Sequence, residues 1–359
     1  MTEELTKKLT EKLTEKMHCL GIEGTAHTFG IGIVSFEIDK KNSGKSEDRV
    51  INQRILSNEK DSFSSEEGGM IPNIVAEHHK NTADNILTNT LRKANLKMRD
   101  IDFIAFSQGP GLAPCLLQTM NFAKKLAKDN NIPIVGVNHI AAHLEIGKQI
   151  TKVRDPIYLF VSGANTQIII EDSDGKNFRV LGECLSSALG NAFDKFARTA
   201  GLGFPGGPKI EALAKTKGAQ YIELPYTVKG MDVDFSGIAT KAEQLFKKGT
   251  PKEDICYSLQ ETCFSMLAEV TERAMAHTGK RECIVIGGVA ANKRFCEMLN
   301  IMCKSRGAKF FPVPLEYCGD NGAMIAFRGI FERAKAIKGR SIENRKKIDI
   351  KPRWRIDDL

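Results

Sequence analysis

Two histidines in the stretch "VNHIAAHLEIG" have a spacing that suits a pair of metal ligands. His139 and His143 stand four residues apart and follow Asn138, a residue type that often caps the N-terminus of a helix. On a helix, such positions lie one above the other on the same face. A helix N-terminus disfavours the charged imidazolium, which leaves ring nitrogens available to a metal. The best third ligand is Asp320, at another predicted helix entry in "EYCGDNGAMIAF".

The histidine spacing alone leaves a second interpretation open. Without a third ligand, two histidines on one helix face are more often packing neighbours than a metal site. The pair also lacks the H-E-x-x-H pattern of zinc proteases, because Ile140 follows His139 and no glutamate lies between the two histidines.

Two predicted hairpin turns carry small and hydroxyl residues, which allow a phosphate to approach backbone N–H groups. The first turn, "LGIEGTAHTFG", contains Glu23 and Thr25, and the second is "FVSGANTQ" at residues 160–167. Either turn alone is a weak signal, because any β-hairpin can turn with glycine and threonine. The presence of two such turns favours a nucleotide site.

A third segment, "GNAFDKFARTAGLGFPGGPKIEALA", places Asp194 and Glu211 on either side of a loop rich in glycine and proline. Two carboxylates in such a setting can bind ribose hydroxyls or an amine, or can simply be solvated. The glycines of "IGGVAAN" allow an adenine ring to approach the backbone, or they serve ordinary strand–helix packing. Asn292 in that stretch stands near the start of the next predicted helix.

The composition favours a cytoplasmic protein with free thiols. The nine cysteines are odd in number, form no C-x-x-C pair and follow no signal-like segment. The apolar runs are shorter than the roughly 18 residues that span a bilayer, so no membrane segment is expected. The net charge is +8. Residues 333–355 hold ten Lys or Arg residues against two acidic ones, which predicts either a solvated face or a basic tail for nucleic acid or an acidic partner.

The order of predicted elements indicates two α/β halves. Residues 1–17 have an amphipathic pattern and are expected to form an appended helix or flexible arm. A β-hairpin, a hairpin excursion and mobile loop at residues 40–69, and a helix at residues 74–96 follow. Two strand–turn–helix units complete a first lobe at residues 18–152. The hairpin pattern then restarts at "IYLFVSGANTQIIIED", which predicts a second lobe at residues 153–359 with the basic C-terminal tail.

The assembled motifs closely resemble one family from about residue 18 to the C-terminus: the tRNA N6-adenosine threonylcarbamoyltransferases, in the archaeal and eukaryotic form that is the catalytic subunit of the KEOPS complex. The segments that carry the resemblance are "LGIEGTAHTFGIGIV", "EGGMIPNIVAEHH", "FSQGPGLAPCL", "NHIAAHLEIG", "VSGANTQ", "GNAFDKFAR", "PGGPKIE", "DFSGI", "IGGVAANKRF" and "CGDNGAMIA". The resemblance implies a two-lobed α/β fold of the actin, Hsp70 and sugar-kinase (ASKHA) superfamily, with duplicated RNase H-like domains and a central nucleotide cleft.

The resemblance also implies a reaction. A threonylcarbamoyl group passes from its adenylate to N6 of the adenosine 3′ of the anticodon, in tRNAs that read codons beginning with A, and AMP is released. No covalent nucleophile is needed, because one Fe²⁺ or Zn²⁺ ion per subunit assists the step. The implied partners are tRNA, a kinase-like subunit and small proteins of the complex.

Site residues follow from the same motif match. The metal ligands would be His139, His143 and Asp320. The ATP, AMP or adenylate site would comprise two residues of the first hairpin turn, Glu23 and Thr25, and nine residues of the second half of the chain: Phe160, Val161, Ser162, Gly163, Ala164, Asp194, Gly207, Glu211 and Asn292.

Three positions depart from the family pattern. Phe160 stands where archaeal members usually have a metal-coordinating tyrosine, Ala164 replaces a usual glycine, and Asn73 replaces a frequent arginine. These departures motivate one alternative, an ATP-binding scaffold of the complex with weakened catalysis. A small-molecule kinase of the same superfamily is the other alternative, and it would need a carboxylate base but no histidine pair.

Overall fold

The structure, a computed structural model, describes residues 14–39, 50–65, 70–172, 177–337 and 348–359, with the backbone alone at 334–337. Twelve strands lie in these ranges: β1 (Thr14–Glu23), β2 (Thr28–Asp39), β3 (Val50–Ser62), β4 (Phe103–Gly109), β5 (Ile134–Asn138), β6 (Pro156–Val161), β7 (Thr166–Glu171), β8 (Phe178–Glu183), β9 (Val228–Lys229), β10 (Asp232–Val233), β11 (Glu282–Ile286) and β12 (Lys309–Pro312).

Ten α-helices lie in the same described ranges: α1 (Pro72–Ala94), α2 (Ala113–Asp129), α3 (His139–Thr151), α4 (Leu189–Thr199), α5 (Gly207–Ala214), α6 (Ser236–Lys247), α7 (Lys252–Thr278), α8 (Lys293–Ser305), α9 (Leu315–Cys318) and α10 (Gly322–Ile337). Among them, no helix is both long enough and apolar enough to cross a membrane.

The chain forms two compact units, and each contains a five-stranded mixed sheet. The sheet of the first unit has the order β3-β2-β1-β4-β5, and that of the second unit has the order β8-β7-β6-β11-β12. In both sheets the first three strands in chain order pair antiparallel, and the last two add in parallel. The identical strand orders confirm the predicted duplicated α/β fold, whereas the central cleft stays a prediction.

The units divide the chain differently from the predicted lobes at 18–152 and 153–359. The first unit takes residues up to 63, residues 71–146 and residues 320–354, and the second takes 64–70, 147–319 and 355–359. The reason is that α10 packs along β1 and β2 of the first sheet. Gly21 and Gly32 permit this contact, because a Cβ atom at either position would lie 2.3 Å from the backbone of α10.

One local prediction needs correction, since residues 14–17 belong to β1, whose ladder with β2 extends to Thr14, and the predicted appended segment does not include them. Residues 50–62 form β3, which pairs antiparallel with β2 at the edge of the sheet and agrees with the predicted hairpin excursion. Residues 1–13, 40–49 and 66–69 lie outside the described residues. The predicted helix at residues 74–96 is confirmed as α1.

The described part of the basic C-terminal stretch includes a strap, residues 348–354, that belongs to the first unit and binds β4 and the loop after it through its backbone. The amide of Lys351 donates to the carbonyl of Gln108 at 2.8 Å, and the amide of Gly111 donates to the carbonyl of Pro352 at 3.2 Å. Side chains add to this, since the Nε2 amide of Gln108 donates to the carbonyl of Asp349 at 2.7 Å. These residues of the predicted tail are therefore part of the fold, while residues 338–347 lie outside the described ranges.

Candidate functional site

The first unit brings the two histidines and Asp320 together. The Nε2 atom of His143 lies 3.1 Å from Oδ1 of Asp320, and Nε2 of His139 lies 3.6 Å from the same oxygen. One ligand atom from each of the three residues lies within 4.8 Å of the others. Ligands about 2.1 Å from a shared metal lie roughly 3.0–3.4 Å apart in octahedral or tetrahedral geometry. The donor types suit a metal ion, and the 3.1 Å distance lies in this range, while the 3.6 Å distance is slightly longer than it.

Local sequence explains the position of each ligand. Asn138 ends β5, and its Oδ1 atom accepts the amides of Ile140 and Ala141 at 3.0 and 3.1 Å, which confirms the predicted cap. His139 and His143 then lie on the first turns of α3, with ring centroids 4.7 Å apart. At the entry to α10, Oδ1 of Asn321 accepts the amide of Met324, and Asp320 directly precedes this cap.

The three ligand groups differ in charge. Burial lowers the pKa of His139, but the charge and hydrogen bond of Glu23 and the charge of Asp320 outweigh it and raise the pKa to about 9. Burial lowers the pKa of His143, and its hydrogen bond to Asp320 offsets this only in part. Burial raises the pKa of Asp320, but the two histidines outweigh it and hold that pKa well below its usual range. The site thus has one ionised carboxylate that attracts a cation, and one neutral imidazole ready to ligate it.

Glu23 and Thr25 lie behind the metal-ligand cluster. Glu23 is fully buried, and its Oε2 atom lies 3.0 Å from Nδ1 of His139. Its Oε1 atom accepts the amide and the hydroxyl of Thr25 at 2.8 and 2.7 Å. Thr25 is only 2% exposed. The contact of these two side chains with nucleotide stays a prediction, and the protein itself occupies most of their polar groups.

The second predicted turn lies in the second unit, and only part of the predicted segment is exposed. Phe160 and Val161 are fully buried in β6, and the phenyl ring of Phe160 offers no ligand atom. Ser162 begins a tight turn in which its amide donates to the carbonyl of Asn165 at 2.8 Å. A Cβ atom at Gly163 would have only one neighbour within 4 Å. Gly163 and Ala164 are the exposed part of this turn, whereas the amide and the carbonyl of Ser162 are both bonded within the protein.

The remaining predicted residues hold neighbouring loops of the second unit. Oδ1 of Asp194 accepts the amide of Gly206 at 2.7 Å and thereby fixes the turn that begins α5. Oε1 of Glu211 accepts from Nζ of Lys215 at 2.6 Å. Gly207 has open space beside it, because a Cβ atom there would meet nothing within 4 Å.

Asn292 already has partners inside the protein. Its Oδ1 atom accepts the amide of Phe295 at 3.1 Å and so caps α8, while its Nδ2 atom donates to Oε1 of Gln260 at 2.9 Å. The residue is 7% exposed. Sequence reasoning had no signal for Gln260, which lies in the middle of α7 and is buried. Asn292 stays a predicted nucleotide contact, although most of its polar capacity is committed.

Solved structures with a similar fold define the class of this protein. Full-length HypF in its phosphate- and nucleotide-bound form aligns with a TM-score of 0.58 at 14% identity, over 92% of this chain and 48% of that chain. The (R)-2-hydroxyglutaryl-CoA dehydratase component A of Acidaminococcus fermentans aligns with a TM-score of 0.51 at 13% identity, over 89% of this chain and 99% of that chain. At such identities the likeness shows the fold alone, a two-unit α/β fold of the ASKHA type.

Sequence comparisons define the family. The model of the TsaD family, tRNA N6-adenosine threonylcarbamoyltransferase, matches residues 51–327. A protein of that name from Thermococcus sibiricus is 49% identical over 96% of this chain and 99% of its own length. One from Thermococcus kodakarensis is 51% identical over 88% of this chain and 91% of its own length. The chain belongs to the tRNA N6-adenosine threonylcarbamoyltransferase family, which confirms the predicted family and enzyme class and disfavours the kinase and scaffold alternatives.

A longer relative bears on possible partners. The probable bifunctional tRNA threonylcarbamoyladenosine biosynthesis protein of Methanosarcina barkeri is 46% identical over 95% of this chain. This chain covers only 58% of that protein. The relative therefore joins a part like this chain to a further part that this chain does not match.

Proposed function

We propose that this chain transfers the threonylcarbamoyl group from threonylcarbamoyl-adenylate to N6 of the adenosine 3′ of the anticodon in tRNA. The amine nitrogen forms a bond to the carbamoyl carbon and loses one proton, while the bond from that carbon to the phosphate oxygen breaks and AMP leaves. The observation that carries the proposal is the convergence of His139, His143 and Asp320 in a chain of this family.

In this proposal the three ligands hold one Fe²⁺ or Zn²⁺ ion. Such an ion, when bound, acts as a Lewis acid toward carbonyl and phosphate oxygens. The chain itself contributes the fixed positions of the ligands, since Asn138 caps α3 and Asn321 caps the entry to α10. Cys318 is not needed as a nucleophile, because it is buried and its Sγ atom donates to the carbonyl of Val313 at 3.3 Å.

The metal ligands are tested through Asp320→Asn, which keeps the size of the side chain and removes the charge that attracts the cation. With tRNA, threonylcarbamoyl-adenylate and Zn²⁺ or Fe²⁺, we expect at least about a hundredfold slower formation of threonylcarbamoyladenosine, measured by mass spectrometry of digested tRNA. Asp129→Asn, the same change at an exposed site on α2, should leave the rate unchanged. Equal rates for Asp320→Asn and the unmodified chain would refute the metal role.

We further propose that the second unit binds the adenylate through backbone at residues 162–164 and the loop at Gly207, with Asp194, Glu211 and Asn292 holding or lining it. Open space beside Gly163, Gly207 and Gly288 supports this proposal. Backbone amides in such turns are common phosphate donors.

Gly207→Ala tests this nucleotide site. The change should not strain the fold, because nothing lies within 4 Å of the added methyl group and alanine favours a helix. It would, however, fill space offered to a ligand, so we expect at least about tenfold weaker AMP binding in calorimetry. Gly237→Ala, at an equally open helical glycine in α6, is the matched control. Unchanged affinity in Gly207→Ala would remove this loop from the site.

The proposed partners are tRNA, a kinase-like subunit and the small proteins of the KEOPS complex. The length of the bifunctional relative supports a second functional part that acts together with a chain like this one. Adding the candidate subunits to the transfer assay should raise the rate, whereas a rate that is already maximal without them would contradict the need for partners. ATP-dependent phosphorylation of a small molecule without modified tRNA would instead favour the kinase alternative.

A further inference from the structure

The group behind His139 is a fully buried carboxylate with an assigned partner for each oxygen. Glu23 is the last residue of β1 and is 0% exposed. One oxygen, Oε1, accepts both the amide and the hydroxyl of Thr25, so the carboxylate cannot rotate without losing two hydrogen bonds. The other oxygen, Oε2, lies 3.0 Å from Nδ1 of His139. A buried carboxylate held in this way acts on the histidine and not on solvent.

This contact determines which nitrogen of His139 is free. An ionised carboxylate only accepts hydrogen bonds, so Nδ1 carries the proton that it donates to Oε2. In a neutral imidazole, the lone pair then belongs to Nε2, the atom that points toward Oδ1 of Asp320 at 3.6 Å. Metal-ligating histidines commonly donate their second ring N–H to a carboxylate, which fixes the tautomer and the orientation of the ring.

The turn after Glu23 is itself anchored. The amide of Gly24 donates to Oγ of Ser107 at 3.1 Å, and Oγ1 of Thr119 donates to the carbonyl of Gly24 at 3.0 Å. The amide of Leu112 donates to the carbonyl of Thr25 at 2.8 Å. Three neighbouring segments therefore hold the carboxylate in place against the ring.

We propose that Glu23 is a positioning residue for His139: it accepts the Nδ1 proton, selects the tautomer whose Nε2 atom ligates the metal, and holds the ring toward Asp320. The inference rests on the proposed metal site. It gives Glu23 and Thr25 a role different from the nucleotide contact that the sequence predicted.

Glu23→Gln is the decisive variant because it keeps the shape and changes one atom. The amide and hydroxyl of Thr25 both need an acceptor, so they should hold the new carbonyl oxygen and turn the NH₂ group toward His139. That group donates, so it favours the tautomer with the proton on Nε2, the wrong one for metal binding. We expect affinity for Zn²⁺ and Co²⁺ to fall about 10- to 100-fold in chelator competition.

Nitrogen NMR of the zinc-loaded protein distinguishes a positioning role of Glu23 from a merely structural one, because it reports which ring nitrogen of His139 carries the proton. In the unmodified chain, we expect a protonated Nδ1 and a ligated Nε2 in His139, and this pattern should be lost or weakened in Glu23→Gln. Glu15→Gln, the same change at an exposed position of β1, is the matched control and should bind Zn²⁺ normally.

A second variant guards against misfolding of the first. Thr25→Val leaves Glu23 in place and removes the hydroxyl that fixes Oε1 and that also lies 3.3 Å from Nδ1 of His139, so a several-fold loss of Zn²⁺ affinity is expected. Equal Zn²⁺ affinity in folded Glu23→Gln and the unmodified chain, with Nδ1 still protonated, would overturn the inference alone. An unmodified chain that binds neither ion would overturn the proposed metal site and this inference with it.

Discussion

His139 and His143 lie one helical turn apart but have opposite charge preferences. The pKa of His139 is raised to about 9 because Glu23 and Asp320 both face it, whereas burial dominates at His143 and lowers its pKa. Each imidazole therefore contributes a different property to the site. His143 is ready to ligate a cation. His139 must first lose the proton on Nε2, while Nδ1 keeps its hydrogen bond to Glu23.

His79 gives a prediction at the scale of a single residue. It is fully buried on α1, 5.4 Å from the ring of Phe29, and burial lowers its pKa to about 4. The folded pKa lies below the unfolded value of about 6.5, so the unfolded chain binds the extra proton first as pH falls. The stability due to neutral His79 is fully present above about pH 6.5 and is lost toward pH 4, at a cost of up to about 3 kcal/mol.

Urea unfolding at pH 7 and pH 5 measures this dependence. The unmodified chain should lose about 2 kcal/mol more than His79→Phe between these two pH values, because the phenyl ring cannot titrate. The same substitution at His277, exposed near the end of α7, should leave the pH dependence unchanged. Identical pH dependence in His79→Phe and the unmodified chain would show that His79 is protonated equally in both states.

At the residue scale, the sequence predicted three metal ligands, and the structure brings these three side chains together. The histidine spacing alone left packing open as an alternative, and the complete ligand set was implied by the family resemblance. Glu23 was predicted to contact nucleotide. Its contact with His139 was not predicted, because the two residues lie 116 positions apart in the sequence. No local pattern encodes such a pairing; it follows from strands β1, β4 and β5 lying side by side.

At the scale of elements, the strap at residues 348–354 makes a contact that can be removed. A Cβ atom at Gly109 would lie 1.9 Å from the carbonyl oxygen of Lys351, so Gly109→Ala should displace the strap from β4. We expect a loss of about 1–3 kcal/mol in stability and at least about tenfold faster hydrogen exchange at the amides of Gly111 and Lys351.

Amides inside β4, such as that of Ile104, provide the internal reference for this experiment. They pair within the sheet and should keep their protection in Gly109→Ala. Protected Gly111 and Lys351 amides in that variant would mean that the strap tolerates the added methyl group.

Elements with a clear apolar period were predictable with their bounds, whereas a strand without one was predicted only as part of a hairpin excursion and mobile loop. Helix α1 and the strand–turn–helix units have such patterns and match the structure. Strand β3 reads "VINQRILSNEKDS", which is polar because it lies at the edge of the sheet with much of its surface exposed. Edge strands commonly carry charges that prevent further pairing, and such a sequence resembles a loop.

At the scale of the whole molecule, all three proposed metal ligands belong to the first unit. Metal binding should therefore stabilise that unit by about 2.7 kcal/mol when Zn²⁺ exceeds its dissociation constant a hundredfold. Hydrogen exchange should slow by up to about a hundredfold in β1, β5 and α10, and remain unchanged in β7, β11 and α7. Asp320→Asn should show no zinc-dependent gain, and an equal gain in both units would contradict the assignment.

Two further predictions concern the whole molecule: the state of the nine cysteines and the duplication of the fold. None of the nine cysteines forms a disulfide, and burial raises the pKa of Cys115 to about 11 and that of Cys256 to about 12, so these two thiols are poorly reactive. The duplicated fold was predictable because both halves repeat one order of hairpin and strand–turn–helix units. The division between the units was not, since it depends on the packing of α10 on β1 and β2.

The return of the chain to the first unit at Asp320 has a consequence during protein synthesis. His143 and Asp320 are 177 residues apart, and most of the second unit is made between them. At about 5–20 residues per second, a ribosome needs roughly 9–35 s to pass from one ligand to the other. The nascent first unit therefore waits with its two histidines and Glu23 made but the third proposed ligand absent, and it has the complete ligand set only after Asp320 has been made.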